Sequence, residues 1–400
     1  MRRRPEKAQT ASEMRTVKGS IDWMLVVIVL ALLVFGLVML YSASSYEAQI
    51  KFSTPIYYVK KQLIATVLGL IVMFLTVLIP HKVIEKLAIP LFIVAIVLMC
   101  LVRSPLGFEA NGAYRWLDFK VITVQPSEVL KVALIITLAM LLSRFAQYLG
   151  DIKMYAIVMG INLVATGLTA ILTDDLGTAI IIFVTGFIMI FLASRKVLYL
   201  LITLLVVLGG GIGYVLLRDT KRVRVEAWLN LEKYADDIGY QITQALYAIG
   251  SGGLLGKGLG KSTQKLGFVP ESENDMIFSI VCEELGIIGG IVLIILFALL
   301  IWRMKKIFDR APDLYGKLVV AGVTTHIAIQ TFLNIAVVTN LLPNTGVPLP
   351  FISYGGTAVI FLLIEIGLVL SVSRVRKPTP EEKRKDYYEQ DRERGATYYQ

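Results

Sequence analysis

Glu128 and Lys131 stand three residues apart in an otherwise apolar run, a spacing that puts both side chains on one face of a helix. Two readings fit. The pair neutralises itself and lowers the cost of burial, or Lys131 presents a cation to an anionic substrate. Asp275 poses a similar choice. It follows Glu271-Ser272-Glu273-Asn274 at the head of an apolar run, where an acidic residue either caps a helix or acts as a general base. The second role meets a tension: a helix N-terminus lowers a carboxyl pKa, whereas a base works best with its pKa raised toward about 7. Burial, or a neighbouring carboxylate, must then compensate.

Other polar residues also fall inside apolar runs. Glu283 and Glu284 lie about 12–13 Å beyond Asp275 along the same helix, and Glu365 lies in the last run. His326, Gln330 and Asn334 recur every four residues. That stripe is read as a hydrogen-bonded seam, with a proton relay as the competing reading. The glycine-rich segment Gly250–Gly260 is not a phosphate-cradling P-loop, because Lys257-Gly258 is not followed by Ser or Thr. It reads as a flexible or re-entrant loop. Cys100 and Cys282 both sit in apolar runs and make neither a disulfide framework nor a metal-binding spacing.

The elements that must position these residues are membrane spans. Hydrophobic residues make up 56% of the 400 positions and charged residues 18%, with a mean hydropathy of +0.70. A soluble domain carries about 25% charged residues, and a span needs roughly 20 mostly apolar ones. Expected spans are 22–42, 62–80, 86–102, 128–146, 154–172, 178–193, 197–217, 276–301, 317–339 and 351–373. The fold class is therefore an all-α polytopic integral membrane protein of about ten transmembrane helices, with a large extracytoplasmic loop, 218–274, between the seventh and eighth. The first span is too long for a signal-peptide h-region of about 7–15 residues and reads as a retained anchor.

Ten spans place both termini on one side. That side carries 25 of the 40 Lys and Arg residues; the other carries 14, mostly in the long loop, and Lys131 lies inside a span. The positive-inside rule puts both termini in the cytoplasm. The net charge of +10 thus needs no nucleic-acid partner. Segments 1–20 and 376–400 read as solvated, disordered cytoplasmic tails around a membrane domain at 21–375. With this topology the unusual polar residues gather at the outer face: Lys60-Lys61-Gln62, Asn111–Trp116, Gln125–Lys131, Thr173–Asp175, Asp275, Pro343–Gly346 and Ser353–Gly356.

Several of these runs resemble one family in the same order along the chain. They are Asn111-Gly112-x-x-Arg115-Trp116, Gln125-Pro-Ser-Glu128-x-x-Lys131, Asp175-Leu-Gly-Thr178, Gln241-x-x-Gln244, Gly256-x-Gly-Leu-Gly260, Asn274-Asp275, Glu283-Glu284-Leu-Gly286 and Pro350-Phe-Ile-Ser353-Tyr-Gly-Gly356. Together they resemble the SEDS family (FtsW, RodA, SpoVE) over roughly residues 20–375, and Ala311–Gly316 leans toward the FtsW and SpoVE branch. Two positions depart from the pattern. Asn274 and Met276 stand where Thr and an aromatic residue are usual, and Lys60-Lys61-Gln62-Leu63 has Lys61 where an arginine is expected. That change keeps the charge and loses the bidentate fork for phosphate.

The resemblance implies polymerisation of lipid II into peptidoglycan strands at the outer face of the bacterial cytoplasmic membrane, beside a class B penicillin-binding protein. It implies Asp275 as the base that activates the GlcNAc 4-hydroxyl, with inversion and undecaprenyl pyrophosphate leaving. Arg115, Lys131 and Lys61, or a divalent cation, would balance the leaving group's charge. Glu128 belongs with Lys131. Trp116 would stack on a sugar ring or sit in an interfacial belt. Two other readings stand beside the enzyme: a lipid II flippase with Lys131, Glu283, Glu284, Glu365 and His326 along a polar path, and a scaffold that recruits the penicillin-binding protein.

Overall fold

The computed structural model describes residues 17–110, 113–120, 123–194 and 196–376. Asn111, Gly112 and most of both expected tails lie outside the described residues. The chain opens with β1 (Val17–Lys18), α1 (Trp23–Phe52), α2 (Tyr57–Leu78), the short α3 (His81–Lys86) and α4 (Ala88–Leu101). A small antiparallel sheet of β2 (Gly107–Ala110), β3 (Ala113–Asp118) and β4 (Thr123–Val124) leads into α5 (Pro126–Arg144). Then come α6 (Ile152–Leu172), α7 (Leu176–Ala193) and α8 (Val197–Leu217). The long loop holds α9 (Asp219–Leu229) and α10 (Tyr240–Gly252). The chain returns through α11 (Ile277–Arg310), α12 (Leu314–Val338) and α13 (Gly356–Ser373) to β5 (Val375–Arg376), which pairs antiparallel with β1. The innermost residues of the two expected tails are thus ordered against each other.

Among the described residues nine helices are long and apolar enough to cross a membrane, and α4, with 14 residues, makes the tenth apolar helix. At about 21 Å, α4 alone is short of the roughly 30 Å hydrocarbon core. Leu87, between α3 and α4, keeps near-helical dihedrals (φ −86°, ψ −2°), so the two together read as one crossing with a single-residue break. The expected spans map onto the ten apolar helices in order.

Burial sorts the helices. In α5 83% of the apolar stretch is buried, in α12 67%, and in α8 only 6%. α5 packs against α4, α7 and α12, so a helix apolar all round fills the bundle centre. α8 presents Leu205 and Val206 outward and suits contact with lipid. α2 and α13 pack side by side in the same direction, Gln62 meeting Gly355 at one end and Ile79 meeting Ser371 at the other.

The glycine-rich segment of the long loop is anchored. It docks on a break in α11 at Gly286, whose φ of 72° and ψ of −177° interrupt the helix. Lys257 N–H donates to Glu283 O and Gly258 N–H to Glu284 O, both at 2.9 Å, and Ile287 N–H donates back to Gly253 O at 2.9 Å. Only glycine fits the crossing. A Cβ on Gly286 would lie 2.2 Å from Leu254 O, and one on Gly256 2.2 Å from Glu284 O. The side chains of Glu283 and Glu284, both fully buried, finish the anchor. Glu283 pairs with Lys257 at 2.6 Å and Glu284 with Lys265 at 2.8 Å. Glu284 also accepts from Ser42 Oγ at 2.7 Å and Gly260 N–H at 2.9 Å. This segment is not the flexible loop that its glycines suggest, because two buried carboxylates consume its backbone and lysine donors.

Candidate active site

At the end of the bundle that carries the long loop, a cavity of about 360 Å³ opens among β3, α5, α7, α9, α10, α12 and the segments before α11 and α13. Its walls include Arg115, Trp116, Glu128, Lys131, Arg224 and Asp275. Five of the six site residues expected from the sequence therefore meet in one space, although they span 160 positions from Arg115 to Asp275. Lys61 is the exception. It lies exposed on α2 with its ammonium 4.5 Å from the Tyr57 ring centroid and does not line the cavity.

Local structure explains each placement. The β2–β3 hairpin aligns Trp116 opposite Phe108 and turns half-buried Arg115 and Trp116 toward the cavity. Pro126 starts α5 after extended Gln125, consistent with its missing N–H and fixed φ. One turn in, Lys131 Nζ meets Glu128 Oε1 at 2.8 Å and donates to Gln330 Oε1 at 3.3 Å. Both members of the pair are about 95% buried, so neither is solvated and each compensates the other's desolvation. Asp175 caps α7, accepting from Thr178 N–H at 2.9 Å. Its other oxygen lies 3.8 Å from Arg115 Nε, an atom that is itself buried without a hydrogen-bond partner.

Asp275 does not cap α11. The residue at the cap is Met276, and no side chain there bonds a helix N–H. The Asp275 carboxylate instead accepts from Gln241 Nε2 at 3.4 Å, and Gln241 is oriented by Asn344 Nδ2, which donates to its Oε1 at 2.8 Å. The backbone around it is clamped. Ser353 Oγ donates to Asn274 O at 2.6 Å, Tyr354 N–H to Glu273 O at 2.9 Å, and Asn334 Nδ2 to Asp275 O at 2.7 Å. Asn274 also donates to Glu271, whose backbone is left-handed at φ 56°. Burial pushes the Asp275 carboxyl up to about 7, Glu271 adds to the rise, and Arg224 and Arg115 pull the other way. The tension between helix terminus and base is resolved by desolvation first and by a neighbouring carboxylate second.

Arg224, Gln241 and Asn344 complete the wall. Sequence reasoning did not single out Arg224: its only signal is the basic run Lys221-Arg222-Val223-Arg224. Among the described residues no three His, Cys, Asp or Glu side chains cluster to hold a metal. Arg115, Arg224 and Lys131 are cationic side chains that line the cavity.

The family described as "Cell cycle protein" (FtsW, RodA, SpoVE) matches residues 22–378. Stage V sporulation protein E of Bacillus subtilis is 39% identical over 363 residues, covering 90% of this chain and 99% of its own. Peptidoglycan glycosyltransferase MrdB of Escherichia coli is 34% identical, covering 90% and 95%. A solved chain from work on the structural coordination of polymerization and crosslinking by a peptidoglycan synthase complex superposes with a TM-score of 0.74 at 28% identity, covering 89% and 98%. The chain belongs to the FtsW/RodA/SpoVE family of multi-pass membrane proteins.

Proposed function

We propose that this protein is a peptidoglycan glycosyltransferase that polymerises lipid II, with Asp275 as general base. The observation that carries the reading is a buried carboxylate with its pKa near 7 sharing one cavity with Arg115, Arg224 and Lys131. In the reaction the GlcNAc 4-hydroxyl of lipid II attacks the anomeric carbon of the lipid-linked chain. The new C–O bond forms as the bond to the pyrophosphate oxygen breaks, the anomeric centre inverts, and the hydroxyl proton passes to Asp275. Undecaprenyl pyrophosphate leaves with added negative charge. Arg115, with its unpartnered buried Nε, Arg224 and Lys131 stabilise that charge. Half-buried Trp116 offers a face for a sugar ring. The polyprenyl tail stays in the bilayer, which accounts for a membrane domain carrying the chemistry.

The cavity faces the outside in this reading, since the opposite end holds the β1–β5 pair, and the side read as cytoplasmic carries 25 of the 40 Lys and Arg residues. A class B penicillin-binding protein is the partner. The relative in the synthase complex supports that assignment. So do Leu254, Leu255 and Leu259 on the long loop, which are 69%, 80% and 54% exposed and suit a protein surface. The polar residues that a lipid flippase would need along its crossing are committed elsewhere: Glu283 and Glu284 hold the long loop, and Glu365 holds His326. The test is purified full-length protein in proteoliposomes with lipid II, with and without the penicillin-binding protein. Glycan strands are expected. Transfer of lipid II between leaflets without polymer would contradict the reading.

A further inference from the structure

One face of α12 touches both ends of the proposed chemistry. His326, Gln330 and Asn334, 1%, 3% and 1% exposed, recur every four residues and so form a single stripe. Asn334 Nδ2 donates to Asp275 O at 2.7 Å and to Val347 O at 2.8 Å. One turn away, Gln330 Nε2 donates to Pro348 O at 2.9 Å, while its Oε1 accepts from Lys131 at 3.3 Å and lies 2.9 Å from His326 Nε2. His326 Nδ1 lies 2.7 Å from Glu365 Oε2 on α13.

The donors and acceptors fix the protons. Reversing the Gln330 amide would set its NH2 against the Lys131 ammonium and its oxygen against Pro348 O. Its Oε1 therefore faces Lys131 and His326, and His326 Nε2 must carry a hydrogen. One further proton lies between Nδ1 and Glu365, whichever atom holds it. An amide in the middle does not pass protons readily, so this chain orients groups and does not conduct.

We propose that the stripe is the positioning element of the active site: Asn334 fixes the backbone of Asp275, and His326, backed by Glu365, turns Gln330 to hold Lys131. This deepens the glycosyltransferase reading and rests on it. Base and cation come from separate elements, the segment before α11 and the first turns of α5. The stripe bonds both, with Gln330 and Asn334 about 6 Å apart along its axis. The reacting carbon and its leaving oxygen must fit between a base and a cation, so that spacing enters the rate.

The experiment compares full-length wild type, Asn334→Leu, Glu365→Gln and Glu365→Leu, with Asp275→Asn as reference, in complex with the penicillin-binding protein and assayed on lipid II across pH. Asp275 faces Glu271 from its own segment, Arg224 from α9, Arg115 from β3, and Glu128 with Lys131 across the cavity from α5. Freed from Asn334, it relaxes toward water and away from Glu271. Asn334→Leu should lose about 10²-fold in kcat, and the midpoint of its acid limb should fall toward the ordinary carboxylate range. That midpoint does not depend on how much of a preparation is folded. An unmoved midpoint overturns the proposal, whatever the rate. If Asn334→Leu does not accumulate, the Glu365 pair decides. Glutamine can still donate to Nδ1 and should retain activity, whereas leucine should lose it with KM for lipid II little changed. Equal activities would overturn the proposal. Near-normal polymer from Asp275→Asn would instead remove Asp275 as the base, and no polymer from the wild type would defeat the glycosyltransferase reading itself.

Discussion

Asp275 sits where its charge is costly to hold, and the cost is useful. With its carboxyl pushed up to about 7 by burial and Glu271, kcat/KM should be level above about pH 7 and fall tenfold per unit below it, since a base must be unprotonated. A profile flat down to pH 5 would remove Asp275 from that role. Stability follows by linkage. Because the folded pKa lies above the unfolded value of about 3.9, the native state is favoured most below that value and loses stability as pH rises to about 7. Asp275→Asn should therefore melt higher than wild type at pH 8, by up to about 4 kcal/mol, with the gap closing near pH 4. Lys131 gives a separate test. Glu128→Gln with Lys131→Met removes both charges in near-isosteric form and should fold while losing polymerisation; normal product would make the pair merely structural. Glu128 and Lys131 were legible in the sequence because charges at membrane depth are expensive and few; Arg115, Trp116 and Asp275 took their roles from the family resemblance. Arg224 was not legible, and Gln241 and Asn344 were named only within motifs, without a place in the site. In a polar loop a charged or amide side chain costs little, so its type carries no signal about where it points. Lys61 was read from a motif, and on α2 it stands exposed and outside the cavity lining.

At the scale of elements, apolar length was enough to find the helices and no more. The order of ten crossings follows from the runs themselves, but the break at Leu87 does not, since both sides of it are apolar. The β2–β4 sheet falls in a short polar stretch without clean alternation. The glycine-rich segment read as flexible or re-entrant, and the sequence did not decide between them because glycines that permit motion also permit two backbones to touch. Gly286 is the test. Alanine there would need φ 72° with ψ −177°, a region essentially confined to glycine that costs about 1–3 kcal/mol, and its Cβ would meet Leu254 O at 2.2 Å. Gly286→Ala should free the 253–268 segment to protease in the folded protein and lower polymerisation, since Asp275 is two residues ahead of the same helix. An uncleaved segment with full activity would contradict the anchoring role assigned to Glu283 and Glu284.

The whole molecule separates its two ends. One holds the β1–β5 pair; the other holds the cavity. Orientation was legible only as a charge bias, because no single contact records which side of a membrane an end faces. Cysteines introduced singly into 218–274 should react with an impermeant maleimide on intact cells. Labelling only after permeabilisation would reverse the orientation and place the cavity on the wrong side for strand synthesis. The central claim concerns chemistry, and one substitution isolates it. Asparagine at position 275 keeps the size of aspartate and can still bond Gln241, yet it accepts no proton from a hydroxyl. Loss of a general base costs about 10²–10⁴-fold in rate. The measurement is glycan product formed from lipid II by purified Asp275→Asn in complex with its penicillin-binding protein, beside wild type. The account predicts that product nearly vanishes while expression and complex formation persist. Near-normal product from the well-folded variant would contradict it.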